Sequence, residues 1–181
     1  MDTAPALQPA AVFQTIGRRE VKITGEDGTS FVLNKSSYRS RKCELVCSSK
    51  QDGDAMLLIE RSGHCGKKAA ISDAKGQQLV ELERVSYWGW KFIRRFTWEG
   101  REYQWEHSSC SWRGVSTFTL VETNTKEALA RRDLKEWSWE RKGSITIFET
   151  GDHIPRALII ATALSTEMLY RAYNGSVLGD V

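Results

Sequence analysis

The chain has 181 residues, 40% hydrophobic and 27% charged, and its 26 Lys and Arg against 23 Asp and Glu leave a formal charge of +3. That length fits one domain with a substantial core. So small a positive excess excludes a nucleic-acid binder relying on overall basicity, and only a local cluster would draw an acidic partner. Seven Trp, five Tyr and six Phe favour an aromatic-rich β structure.

The opening stretch, "MDTAPALQPAAVFQTIG", has an early Asp, two prolines and no basic region ahead of a long apolar run. It does not read as a secretory signal, and residues 1–12 are expected to form a flexible tail. Cys43, Cys47, Cys65 and Cys110 make no Cys-x-x-Cys pair and are expected to stay reduced. The expected location is the cytoplasm, with the membrane periphery and the nucleus as alternatives, so the sequons at Asn34 and Asn174 carry no weight.

From Arg19 to Glu149 apolar and polar residues alternate with period two, broken by turn residues about every ten positions. "EVKIT", "FVLN", "CELVCSS" and "AMLLIER" read as successive strands. "KKAAISDAKGQQLVELERV" is a hairpin turning at Asp73 to Gly76, and "KFIRRFTWEGREYQWEH" is another turning at Glu99-Gly100. "STFTLVET" and "GSITIFETG" continue the pattern. No helical gap is long enough for a parallel crossover, so the reading is an antiparallel meander. Residues 124–137 contain good helix formers, but the alternation beside them favours a strand over Ala128 to Arg132.

"RALIIATALSTEMLYRAY", residues 156–173, is the most apolar segment. Asp152 is the expected N-cap, Pro155 falls in the first turn and Asn174-Gly175 is the expected stop, giving a helix over about 153–173. Only ten uncharged residues separate Arg156 from Glu167, about 15 Å of helix against the ~30 Å of a bilayer core, so no transmembrane span is expected. Its apolar residues occupy every side of the wheel, and such a helix wants to be enclosed. A closed antiparallel barrel of about twelve strands over residues 13–175, wrapped around this helix and followed by a short tail at 176–181, satisfies both the strands and the helix.

"AAISDAKGQQLVELERV", "WKFIRRFTWEGREYQWEH" and "GSITIFETGDHIPRALIIATAL", in that order, resemble two hairpins and the closing strand with its central helix in the tubby C-terminal-like fold. That fold is shared by tubby proteins, phospholipid scramblases and the LURP-one-related group, and the chain is most similar to small single-domain members of the last. The resemblance implies a mainly β barrel around a hydrophobic C-terminal helix. Its tubby branch implies phosphoinositide binding through surface Lys and Arg. The palmitoylated cysteine cluster and acidic calcium loop of the scramblases have no counterpart here.

No catalytic residues are expected. "SGHCGKK" lacks the glycine spacing of a phosphate loop and the Ser or Thr after its lysine. Cys43 and Cys47, four apart on a strand, stand about 13 Å apart, too far to share a metal, so no metal or cofactor is expected. "EHSSCSW" gathers His107, Ser108, Ser109 and Cys110 without a nucleophile-elbow sequence. Glu81 and Glu83 read as one solvated strand face. The basic residues are the better lead: Arg39, Arg41 and Lys42 lie beside Tyr38, while Arg94-Arg95, Arg131-Arg132 and Arg141-Lys142 add pairs in which alternation would expose one charge and place the other near the barrel rim. Arg39, Arg41 and Lys42 are the expected anion-binding cluster. Tyr87, Trp88 and Trp90 around Gly89 are the expected membrane-interface aromatics. The expected function is a non-enzymatic module that recognises acidic phospholipid headgroups peripherally. The alternative is a protein–protein interaction or structural domain with no small ligand.

Overall fold

The computed structural model describes residues 7–17, 20–35, 41–47, 56–62, 68–85, 92–108, 114–135 and 142–178. The alternating segments are strands β1 (Pro9–Ile16), β2 (Glu20–Gly25), β3 (Ser30–Lys35), β4 (Lys42–Cys47), β5 (Met56–Ser62) and β6 (Lys68–Asp73). They continue as β7 (Gln78–Arg84), β8 (Ile93–Trp98), β9 (Arg101–Ser108), β10 (Val115–Glu122), β11 (Ala128–Lys135) and β12 (Gly143–Phe148). A 3-10 turn (Glu149–Gly151) then leads to helix α1 (Arg156–Leu178). Each strand pairs antiparallel with its chain neighbours and β1 pairs with β12, so the sheet closes into a barrel of twelve strands.

Alternation sets the two faces. In β2, Val21 and Ile23 are buried while Glu20, Lys22 and Thr24 face water; in β4, Cys43, Leu45 and Cys47 are buried between exposed Lys42 and Glu44. The segment 128–132 is strand, as expected from the alternation beside it, because β11 bridges β10 and β12; Leu129 and Ala130 are both buried where the β10–β11 register shifts. Tight turns join the strands at one end. Gly100, at φ +75°, completes the two-residue β8–β9 connection after Glu99 at φ +48°, a pair of positive φ values that suits the twist of a hairpin.

The helix runs inside the barrel. Leu158, Ile159, Ile160, Ala161, Ala163, Leu164 and Leu169 are all at most 2% exposed, so its all-round apolarity is met by strands on every side. It lies closest to β5, β6, β7 and β12, where Ala69, Ile59 and Ile71 leave room. Across the lumen the space is filled by Phe96, Tyr103, Trp105 and Phe118, all buried. Trp105 Nε1 donates to Thr162 Oγ1 at 3.1 Å, tying β9 to the helix and satisfying a buried indole N–H. No described helix is long and apolar enough to cross a membrane.

Three boundaries differ from the sequence reading. Pro9–Val12 belong to β1 rather than to a tail, because this strand is needed to join β2 to β12. Asp152 ends the 3-10 turn instead of capping the helix; the carbonyl of Pro155 accepts the first helical bonds, from Leu158 and Ile159. The helix also runs through Asn174-Gly175 to Leu178. A single Gly costs a helix only about 1 kcal/mol, too little to force a stop.

Candidate functional site: a basic cleft at the helix-exit end

Antiparallel strands send their connections alternately to the two ends of the barrel. At the entry end lie the turns 25–29, 73–77, 99–100 and 123–127, together with the start of α1. The exit end, towards which the helix runs, is marked by Ile16, Lys42, Lys68, Arg84, Lys135 and Gly143.

On the outer wall at the exit end, β10, β11, β12 and β1 border a cleft of about 530 Å³. Arg131, Lys135 and Lys142 line it, with Asp133 as the opposing carboxylate. Outward-facing β11 residues recur every second position, which puts Arg131, Asp133 and Lys135 in one row. The bond from the Lys135 N–H to the Lys142 carbonyl, 3.0 Å, sets the two lysines side by side across the β11–β12 junction. Asp133 accepts from Arg131 Nε at 2.9 Å and from Thr117 Oγ1 at 2.7 Å. That holds its carboxylate towards Arg131, with the lysine pair further along the same cleft. Ile16, 47% exposed, and Val115 give the same cleft an apolar lip.

The cleft floor includes Gly143 and Thr15. Behind them a buried network fastens the helix to the wall. Arg132 Nη1 donates to Thr15 Oγ1 and its Nη2 to Glu167 Oε2, both at 2.7 Å, while Arg171 Nε donates to Glu167 Oε1 at 3.1 Å. Arg132 and Glu167 side chains are only 1% and 4% exposed. A Cβ on Gly143 would stand 2.7 Å from Arg132 Nη1 and 2.2 Å from the Asp133 carbonyl oxygen. Glycine is therefore what lets the guanidinium lie flat against β12.

The structure separates the expected site residues. Arg41 and Lys42 are exposed at the exit end, and Lys42 pairs with Glu60 at 3.3 Å. They stand on β4, parted from the cleft by β3 and β2. Arg39, Tyr87, Trp88 and Trp90 lie outside the described residues. Among the basic pairs, Arg95 and Arg131 face outward, but Arg94 and Arg132 point into the barrel and are fully enclosed, not at its rim. Arg94 lies 4.6 Å from the centre of the Phe92 ring, and burial pushes its pKa down to about 10.

A second surface hollow, about 370 Å³, opens between β7 and β8, beside the Glu83–Arg95 and Arg84–Arg94 pairs and the bond from the Val85 N–H to the Ile93 carbonyl. Its charges are spent on one another: Lys68 binds Glu81 and Glu83 at 2.6 and 2.5 Å, and Arg95 binds Glu102 at 3.3 Å. The Lys68 ammonium, hydrogen-bonded by Glu81 and Glu83, is held above the usual lysine range. Glu81 and Glu83 thus occupy the outer face, as alternation predicts.

Of the remaining chemical candidates, His107 Nε2 is 3.3 Å from Ser116 Oγ with its ring packed on Phe118 and Tyr170, and Ser108 Oγ donates to the Thr117 carbonyl at 3.2 Å. Ser109, Cys110, His64 and Cys65 lie outside the described residues. Cys43 and Cys47 are buried wall residues, and Cys43 Sγ touches Met168 Sδ at 3.8 Å. No metal-binding group of His, Cys, Asp and Glu gathers among the described residues. Comparison with known proteins adds no identity: no family model, curated protein or solved structure matches the chain.

Proposed function

We propose that the chain is a non-enzymatic binding module that takes acidic phospholipid headgroups at a membrane surface, and that it is related to the tubby-like barrels it resembles. The observation that carries this reading is the convergence of Lys135 and Lys142, with Arg131 behind Asp133, on one cleft with the exposed Ile16 at its lip. A headgroup phosphate takes charge-assisted bonds from such cations, and the glycerol and upper acyl region would meet the apolar lip. The helix fills the lumen, leaving the outside of the barrel as the place to bind. His107 and Ser108 are the described members of the His-Ser-Ser-Cys run; the His107 ring packs on Phe118 and Tyr170 with Nε2 3.3 Å from Ser116 Oγ, and the Ser108 hydroxyl donates to the Thr117 carbonyl.

Sedimentation with phosphatidylcholine vesicles, with and without a phosphoinositide, tests the reading. At about 1 kcal/mol for each basic residue near an anionic surface, Lys135→Gln with Lys142→Gln should weaken binding by about 2 kcal/mol, roughly thirtyfold. Arg41→Ala, on β4, should cost less. Binding that is absent at low salt, or indifferent to the lysine pair, would refute the proposal and leave a protein-interaction domain as the better description.

A further inference from the structure

The formal charge of +3 conceals a polarity along the barrel axis. Among the described residues at the exit end, Arg41, Arg61, Arg84, Lys135 and Lys142 add to Lys22, Lys42 and Lys68, and these eight outnumber the six carboxylates Glu20, Glu44, Glu60, Glu83, Glu106 and Asp133 placed there. The entry end is the reverse. Glu26, Asp73, Glu99, Glu127, Glu149 and Asp152 stand on its turns and outweigh Lys75 and Lys126. Two further described cations there are matched by carboxylates: Arg156 Nη1 lies 3.0 Å from Asp27 and Arg101 Nη1 3.9 Å from Glu122.

From this polarity we infer that the barrel docks end-on, with its helix-exit end against an anionic membrane and its entry end pointing away. The inference rests on the headgroup reading above and adds the geometry of the complex. Strands of six to eight residues span about 20–26 Å, beyond the ~8 Å Debye length at physiological salt. Each end therefore meets the membrane potential on its own. The basic end is attracted and draws in the cleft with Ile16. The acidic end is repelled on approach, and the intervening wall carries mixed, mutually paired charge such as Arg95–Glu102. The cleft opens on the wall close to that rim, so end-on docking brings it to headgroup depth without tipping the barrel.

A pair of fluorescent labels tests the orientation. Val85, 38% exposed at the exit end, and Ala74, exposed in the entry-end turn, are each replaced by Cys with Cys65 and Cys110 changed to Ser. Quenching is read on phosphatidylcholine–phosphatidylserine vesicles carrying a headgroup nitroxide. The Val85→Cys label should be quenched several-fold more than the Ala74→Cys label, and Glu26→Lys with Glu127→Lys should shrink that difference. Equal quenching, a reversed order, or a difference untouched by the charge reversals would overturn end-on docking while leaving headgroup binding intact. Failure of the labelled protein to associate with the vesicles at all would overturn both.

Discussion

Glu167 is the residue whose loss should cost the barrel most for the fewest atoms removed. Its carboxylate, 4% exposed, receives Arg132 Nη2 at 2.7 Å and Arg171 Nε at 3.1 Å. Arg171 is 30% exposed and can turn towards water, whereas Arg132, 1% exposed, cannot. Glu167→Ala would therefore strand a buried guanidinium with only Thr15 and the Asp133 carbonyl as acceptors. Breaking a buried pair from one side costs about 3–5 kcal/mol. In a chain of this size each kcal/mol shifts Tm by about 2–4 °C, so the melt should fall by roughly 10 °C. Replacing both partners with apolar groups, Arg132→Met and Glu167→Leu, removes the stranded charge and should recover most of that loss. Thermal melts and urea titrations of Glu167→Ala and of the four proteins of the cycle, wild type, Arg132→Met, Glu167→Leu and the double variant, supply the measurement. A Glu167→Ala variant that loses less than about 1 kcal/mol, or a double variant as unstable as the summed singles, would refute the claim that this pair locks the helix to the wall.

Two further outcomes follow from the same geometry. Ile160 is fully buried in the second turn of the helix, so Ile160→Asp should abolish the folded state by burying an unpaired carboxylate; near-UV circular dichroism would report it, and a folded variant with unchanged melting would contradict enclosure. Asp27, held below its ordinary value of 3.8 chiefly by the Thr29 N–H and then by the Thr29 hydroxyl and Arg156, binds fewer protons folded than unfolded. Its contribution is complete above 3.8 and is lost as pH falls through the lower folded value; acid melts of Asp27→Asn should show a smaller stability loss over that window, and parallel wild-type and variant curves would contradict it.

The barrel and its enclosed helix were legible because period-two strands and an all-round apolar helix each demand the other. β1 was hidden by its own composition: Pro9 and the small residues after it read as a tail, and only the need to close β2 against β12 makes them strand. The inward arginines left a fainter trace. Phe92-x-Arg94-x-Phe96 and Ala130-x-Arg132-x-Leu134 place each between inward apolar residues. Glu167, alone among apolar helix residues, is the counter-charge that should have drawn Arg132 inside rather than to the rim. The cleft could not be read from one strand, since Lys135 and Lys142 become neighbours only through the β11–β12 register. A run such as Arg41-Lys42 is visible in sequence but stays a local feature of β4.

The place of α1 after all twelve strands in the chain bears on how such a molecule is assembled. The strands that complete the ring, β1 and β12, are also nearly the whole length apart, as the pairing of Phe13 with Ile145 shows. Contacts this distant in sequence form slowly. A sheet that closed early would shut out its own core. A sheet that stays open until the helix arrives can instead use it as the template on which the wall closes, making its arrival the event that commits the barrel to being a barrel.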